Sequence, residues 1–451
     1  MATSIKNFLV ELYHEYLEEA SFLYEQRLCL FHNPEITWLD IEDFGNRFES
    51  HIDGLVVGEE LALEICKQQT NEGDIGELHA AVRVFCRQNR KEILFELLDN
   101  LDPDDNEKID AVSNALKDEL PADWQNAIID KLASGEEKLI QIISTLIGYR
   151  RLPASKELLQ LLHLKKTATN PAVIWALGRL REKDATDLLL QNLTVNQDEL
   201  CSSSALTLLR IGEYQVISQC LKYADSRNWP YIPLSLGGGH SVLSTLMTIG
   251  SANYSGSDSL IALGLLGDIA TVDLLLSKLF VKESVETAAL ALNLITGAEL
   301  YKDEFIPEEF DEEDLSEEEL KMFRQGEVPK KIDGTLYGET VNRLSQNPDE
   351  WQKWWANNRS RFIPGVRYRN GKPYSPACLL ENLQHDRTPH KIRQLAYEEL
   401  VIRYDVDFPF EADMFVAQQK RVLKAISQWV GSNSSRFKEG AWYFAGRLIA
   451  D

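Results

Sequence analysis

The chain has 451 residues, 44% of them hydrophobic and 26% charged, with a formal net charge of −24. That length exceeds one compact core and suits two to four domains or one long repeat array, and the apolar content excludes wholesale disorder. Residues 341–451 carry 17 Lys/Arg against 12 Asp/Glu while residues 1–340 carry 30 against 59, a field that excludes nucleic acid as the partner of the long part and favours a cationic one, or simply solubility.

Residues 1–54 are predicted to form an N-terminal helical cap, with Trp38 and Phe44 available to cover the first apolar edge. Acids interrupt the first apolar stretch, so it does not read as a secretory leader. No run of 18 uncharged apolar residues occurs, so no membrane span is expected. The six cysteines are scattered without a CxxC pair, which reads as reduced, buried thiols in a cytoplasmic protein.

From about residue 55 to 297 the chain repeats itself. Residues 176–193 (ALGRLREKDATDLLLQNL) and 262–279 (ALGLLGDIATVDLLLSKL) share nine of eighteen positions without a gap. Their offset of 86 residues is three periods of about 29, and further copies fall near 147, 204 and 287, with weaker ones near 80 and 111. Each unit has apolar residues at three- and four-residue spacing, a turn rich in Gly, Asp or Pro, then a second apolar helix. Small residues (Ala176, Gly178, Ala262, Gly264) let the first helix approach its neighbour. Stacked pairs of this kind bury stripes that a lone pair cannot. The units resemble HEAT-type repeats, so the predicted fold is an all-α, HEAT-like solenoid. Residues 222–257, with Trp229-Pro230, Pro233 and three consecutive glycines, are expected to interrupt the array as an irregular insertion.

Residues 298–340 are predicted as an acidic insertion; residues 303–319 hold eleven acids and no base. Like charges keep such a run extended and solvated. This one also carries Phe305, Ile306, Phe310 and Leu315, apolar anchors inside a negative field. The candidate partner-binding residues are therefore Phe305, Phe310, Asp311, Glu312, Glu313, Asp314, Glu317 and Glu318. Residues 341–451 are predicted to form an aromatic-rich helical module. There Trp351, Trp354 and Trp355 share one helix face, and the basic residues that follow are available to dock on the acidic insertion.

Two segments outside the repeats, RFESHIDGLVVGEELALEIC at 47–66 and WWANNRSRFIPGVRYRNGKPYSPACLLENLQHDRTPHKIRQLAYEEL at 354–400, are similar to an uncharacterised family of bacterial HEAT-repeat proteins often encoded in or beside type VI secretion loci. The resemblance implies a cytoplasmic role tied to secreted effectors, as immunity protein or as loading adaptor, and brings no catalytic residues with it.

Catalytic motifs are missing: there is no GxSxG, P-loop, GxGxxG after a strand, or HExxH. Residues 237–241 (Gly-Gly-Gly-His-Ser) read as a flexible loop rather than an anion cradle with His240 as base, because no acid stands nearby in sequence. The cluster of His385, Asp386, Arg387 and His390 reads as a helix-start turn. No catalytic residue, metal site or cofactor is expected. The function read from the sequence is a non-enzymatic solenoid that sequesters a cationic toxin or secreted effector, with an adaptor that loads an effector onto a secretion spike as the runner-up. An enzyme on the same scaffold is disfavoured by the acidic field and by the lack of a placed Cys/His/acid set.

Overall fold

The computed structural model describes residues 2–33, 35–164, 169–252, 256–308, 315, 317–326, 328, 330–331 and 334–449. Three helices open the chain: α1 (Ala2–Leu30), α2 (Ile41–Val57) and α3 (Glu59–Glu72). Helix α1 packs on α2 and on the helix that follows α3. Phe44 joins this N-terminal core, but Trp38 does not cover the array's first edge. Its ring lies in the core of the C-terminal module, with the Arg393 guanidinium 4.0 Å from its centre.

The array then runs as helical pairs: α4 (Ile75–Arg87) with α5 (Lys91–Asn100), α6 (Asn106–Glu119) with α7 (Gln125–Asp130), α8 (Glu137–Arg150) with α9 (Ser155–His163), and α10 (Pro171–Leu180) with α11 (Thr186–Asn192). It continues with α12 (Asp198–Arg210) and α13 (Val216–Tyr223), α14 (Tyr231–Gly237) and α15 (Leu243–Ser251), α16 (Ser257–Leu266) and α17 (Val272–Lys278), and closes on α18 (Val285–Thr296). Starts are specified locally. Asp74 accepts from the Glu77 amide at 2.7 Å while Glu77 accepts from the Asp74 amide at 3.1 Å, a capping box that begins α4. Asn170 caps α10 ahead of Pro171 in its first turn. The first helices of successive pairs stack on one another from α4 to α18. The repeated glycines set their spacing: a Cβ on Gly178 would sit 2.7 Å from the Thr207 hydroxyl, and one on Gly264 2.8 Å from the Ala291 Cα. This is the HEAT-like solenoid that the period predicts.

Residues 222–257 correct the sequence reading. They are not an irregular insertion but hold the pair α14 and α15, with α14 stacked on α16 and touching α12. Gly237 is a packing residue, because a Cβ there would lie 2.4 Å from a Leu209 methyl.

After α18 the chain forms β1 (Tyr301–Pro307), then α19 (Glu317–Phe323), and returns as β2 (Gly338–Leu344), paired antiparallel from Tyr301↔Leu344 to Pro307↔Gly338. The acidic insertion is thus an arm rooted on a two-stranded ribbon, and its second strand runs past residue 340. The C-terminal module follows: α20 (Pro348–Asn358), the hairpin β3 (Tyr368–Arg369) and β4 (Lys372–Pro373), α21 (Pro376–Gln384), α22 (His390–Tyr404), α23 (Val416–Asn433), and the hairpin β5 (Tyr443–Phe444) and β6 (Arg447–Leu448). Helix α22 is buried along most of its length, against α12, α14, α21 and β5. Repeat and module residues share one apolar cluster: Trp351, Phe362, Ile392, Ile402 and Trp442 pack with the repeat leucines. Trp354 and Trp355 are half-buried beside it, so the tryptophan face is a packing stripe.

Candidate partner-binding surfaces

The arm is held at its root by polar ties. Arg343 donates to Glu304 across the ribbon at 2.8 Å, and Asn342 to Asp303 at 2.6 Å. Lys302 pairs with Glu350 of α20, and the Arg387 guanidinium reaches from the module to Asn342 while lying 4.8 Å from the Tyr301 ring centre. The bond from Arg343 holds the Glu304 carboxyl below the usual carboxylate range, and burial pushes the Tyr301 phenol up. Of the predicted binding residues, Phe305 stands on β1 with 43% of its surface exposed. Glu317 and Glu318 begin α19, with side chains outside the described residues. Phe310, Asp311, Glu312, Glu313 and Asp314 lie outside the described residues altogether.

The other surface a solenoid offers is the face of its stacked helices, and here the module covers much of it. Helix C-termini leave carbonyls without intrahelical donors and carry partial negative charge, so cations belong there. Arginines fill that role repeatedly. Arg210 donates to Gly178 O at 3.2 Å, Arg181 to Arg210 O at 3.2 Å, and Arg403 to Ser235 O at 2.8 Å. Arg367 donates to Leu266 O at 2.8 Å and Arg369 to Leu265 O at 3.0 Å. The carboxylates that balance these cations come mostly from the module. Glu399 holds both Arg367 and Arg369, at 2.7 and 2.6 Å, and Tyr374 donates to it at 2.6 Å. Glu398 accepts from Arg179 at 2.8 Å and Arg210 at 2.6 Å, and Glu411 accepts from Arg179 at 2.6 and 2.8 Å. Burial alone would raise the Glu398 carboxyl, but the Arg179 and Arg210 guanidinium groups hold it well below its ordinary range. Among the described residues no carboxylate is bonded to Arg393 or Arg403, and burial lowers them to about 9 and about 10.

A strap joins α22 to α23 across this face. Residues 405–415 read DVDFPFEADMF, alternating acid and apolar residues through much of their length, and they turn twice, the Phe410 amide donating to Phe408 O at 2.8 Å and the Met414 amide to Glu411 O at 3.2 Å. Val406, Phe410 and Ala412 are buried in the module core. Asp405 pairs with Arg181, Glu411 with Arg179, and Asp413 with Lys117 at 2.8 Å. Phe415 completes the run against the guanidinium groups of Arg27 and Arg83, at 4.3 and 5.1 Å from its ring centre. Of the basic residues after Trp355, Arg367 and Arg369 are fully buried on Glu399 and Lys372 pairs with Glu381 rather than with the acidic insertion.

Two motifs that the sequence left aside are clarified. His240 has an acid after all, from 28 residues downstream: its Nδ1 lies 3.0 Å from Oδ2 of the buried Asp268. Its loop is a 3-10 turn between α14 and α15 rather than a flexible connection. His390 begins α22 against Phe31, with burial pushing it down to about 4, while His385 and Arg387 line an open cleft beside the arm. Among the described residues no group of three or more His, Cys, Asp or Glu could hold a metal ion, and no helix is long and apolar enough to cross a membrane.

No family model matches the chain, and no curated protein matches it. The X-ray structure of YibA from Escherichia coli matches at 14% identity with a TM-score of 0.38, covering 54% of this chain and 95% of that chain. A match of that quality carries no functional argument, so the assignment rests on the residues themselves: the chain is a helical repeat protein.

Proposed function

We propose that this protein is a non-enzymatic binder of another protein, and that the acidic arm is its capture surface. The observation that carries this reading is the covered face of the array. The module and strap occupy the C-terminal ends of the stacked helices, so the strongly charged stretch between β1 and β2 is the candidate that remains. The thirty residues between the strands, 308–337, hold eleven acids and four bases. A field of that sign steers a cationic partner, and Phe305 at the edge supplies apolar contact. In keeping with the sequence resemblance, the partner is a cationic toxin or effector of a type VI secretion system, which this protein neutralises in the cytoplasm as an immunity protein. The test is co-expression with the effector encoded beside it. Wild type should restore growth, and a variant with Asp311, Glu312, Glu313 and Asp314 changed to lysine should protect less while remaining equally abundant. Equal protection by both proteins would overturn the arm as capture surface.

A further inference from the structure

We infer that the cleft at the root of the arm receives an extended segment of the bound protein in which an apolar side chain is followed closely by a lysine or arginine. The inference rests on the reading of the arm as a partner-binding element. The cleft has two lobes, of about 480 and about 530 Å³, that share Leu290, Tyr301, Arg387 and Pro389 as walls. Together they are of the size that holds a short peptide or drug-sized ligand. The first lobe is bounded by β2, α18 and residues 35–37, and its lining is mainly apolar: Ile36, Ala289, Leu290, Leu344 and the Tyr301 ring. It suits an aliphatic side chain.

The second lobe is polar, lined by Asn293, Glu299, Asn370, Glu381 and His385 among others. The charge balance selects the sign of its guest. Four carboxylates, Glu35, Glu286, Glu299 and Glu381, line the two lobes against Arg343, Lys372 and Arg387; Arg343 is spent on Glu304 outside the lining and Lys372 on Glu381, while Arg387 rests on the neutral Asn342 and Tyr301. Among the described residues no lysine or arginine pairs with Glu299; its carboxylate has His385 Nε2 at 3.8 Å, and 64% of its side chain is exposed. The unspent charge is therefore negative, Glu35, Glu286 and Glu299 against Arg387, and the NH2 of Asn293, whose oxygen accepts from the Glu299 amide, can serve a peptide main chain. Side chains two apart on an extended strand point the same way and stand about 7 Å apart, so one segment can present both groups. The strands that carry Phe305 also form a wall of the cleft through Tyr301, Asn342 and Leu344, which makes cleft and arm one continuous surface.

The experiment uses the full-length protein and blocked hexapeptides with leucine at position 2 and lysine, glutamate or alanine at position 4, titrated calorimetrically. The lysine peptide should bind at least tenfold more tightly than the glutamate peptide, with alanine between them. Glu299→Lys should reverse that order, Glu299→Gln should level it, and Leu290→Ser should weaken all three peptides about equally. Unchanged circular dichroism melting would confirm that each variant is folded. Absence of binding by wild type, or a preference that survives Glu299→Lys, overturns the inference. The lysine changes at 311–314 separate the two readings: they should keep the order of preference among the three peptides while slowing capture of the whole effector. Peptide binding without effector capture sinks the arm alone, and effector capture indifferent to Glu299 and Leu290 sinks the cleft alone.

Discussion

Arg179 offers the sharpest test of whether array and module are one energetic unit. It is 6% exposed and makes three charge-assisted bonds, to Glu398 and twice to Glu411, between 2.6 and 2.8 Å. Arg179→Met keeps most of the aliphatic stem and removes the charge. Glu398 would retain Arg210 and Gln394, but Glu411 would be left with Gln394 at 3.0 Å and Arg151 at 3.6 Å. Stripping one partner from a buried pair costs about 3–5 kcal/mol, because the other charge stays desolvated. The surviving partners of Glu398 place the expected loss near the lower end, about 3 kcal/mol. Glu411→Gln in the same background should recover about 2 kcal/mol of it, since that carboxylate would no longer be orphaned. For contrast, Lys302→Met breaks a surface pair and should cost less than about 1 kcal/mol. Urea unfolding followed by far-ultraviolet dichroism and by tryptophan fluorescence gives the numbers, with the two signals expected to coincide. A loss below about 1 kcal/mol for Arg179→Met, or additive effects of the two changes, would refute the view that the strap is bonded energetically to the repeats.

Acid should act on the fold in two windows. His390 titrates at about 4 when folded against an ordinary 6.5, so between those values the unfolded chain binds more protons; stability then falls as pH drops from 6.5 to 4, by up to roughly 3 kcal/mol, and His390→Gln should flatten the slope. Asp413, which burial would raise but Lys117 lowers, and Glu398 are depressed carboxyls, so their contribution is lost only as pH falls through and below the ordinary carboxylate range. Gly178→Ala should destabilise by about 1–3 kcal/mol through the clash with Thr207, whereas Gly256→Ala, which meets nothing within 4 Å, should be neutral; thermal melts of the pair decide it. Phe305→Ala should leave the melting temperature unchanged and raise the dissociation rate of the effector; a fall of several degrees would show Phe305 to be a structural residue.

The array was legible because its constraint is local and recurs: a small residue wherever two stacked helices must meet, as at Gly178 and Gly264. The pair α14 and α15 escaped the same reading because Gly237 performs that packing within a run of three glycines, a pattern that otherwise marks a loop. The ribbon under the acidic arm was hidden by composition, since β1 holds three charged residues among seven and its pairing partner lies some forty residues on. Composition also cannot tell an inward arginine from an outward one. Arg367 and Arg369 look like surface cations until Glu399, thirty residues downstream, is brought beside them. The strap went unread: DVDFPFEAD alternates at period two, but an acid-apolar alternation does not announce which side carries the arginines.

The strap also fixes how long the protein can be. Asp405 meets the end of α10 and Phe415 the face of α4, so ten residues, which even with their two turns pulled straight reach only about 33 Å, span three steps between stacked helices of about 8–10 Å each. Open-ended repeat arrays gain and lose units with little penalty, because each unit answers only to its neighbours. Here a duplicated pair between α4 and α10 would add a step that the strap lacks the residues to cover, and a deleted pair would leave it slack with its carboxylates out of register. The repeat number in this stretch behaves as a measured length, with the strap as its ruler.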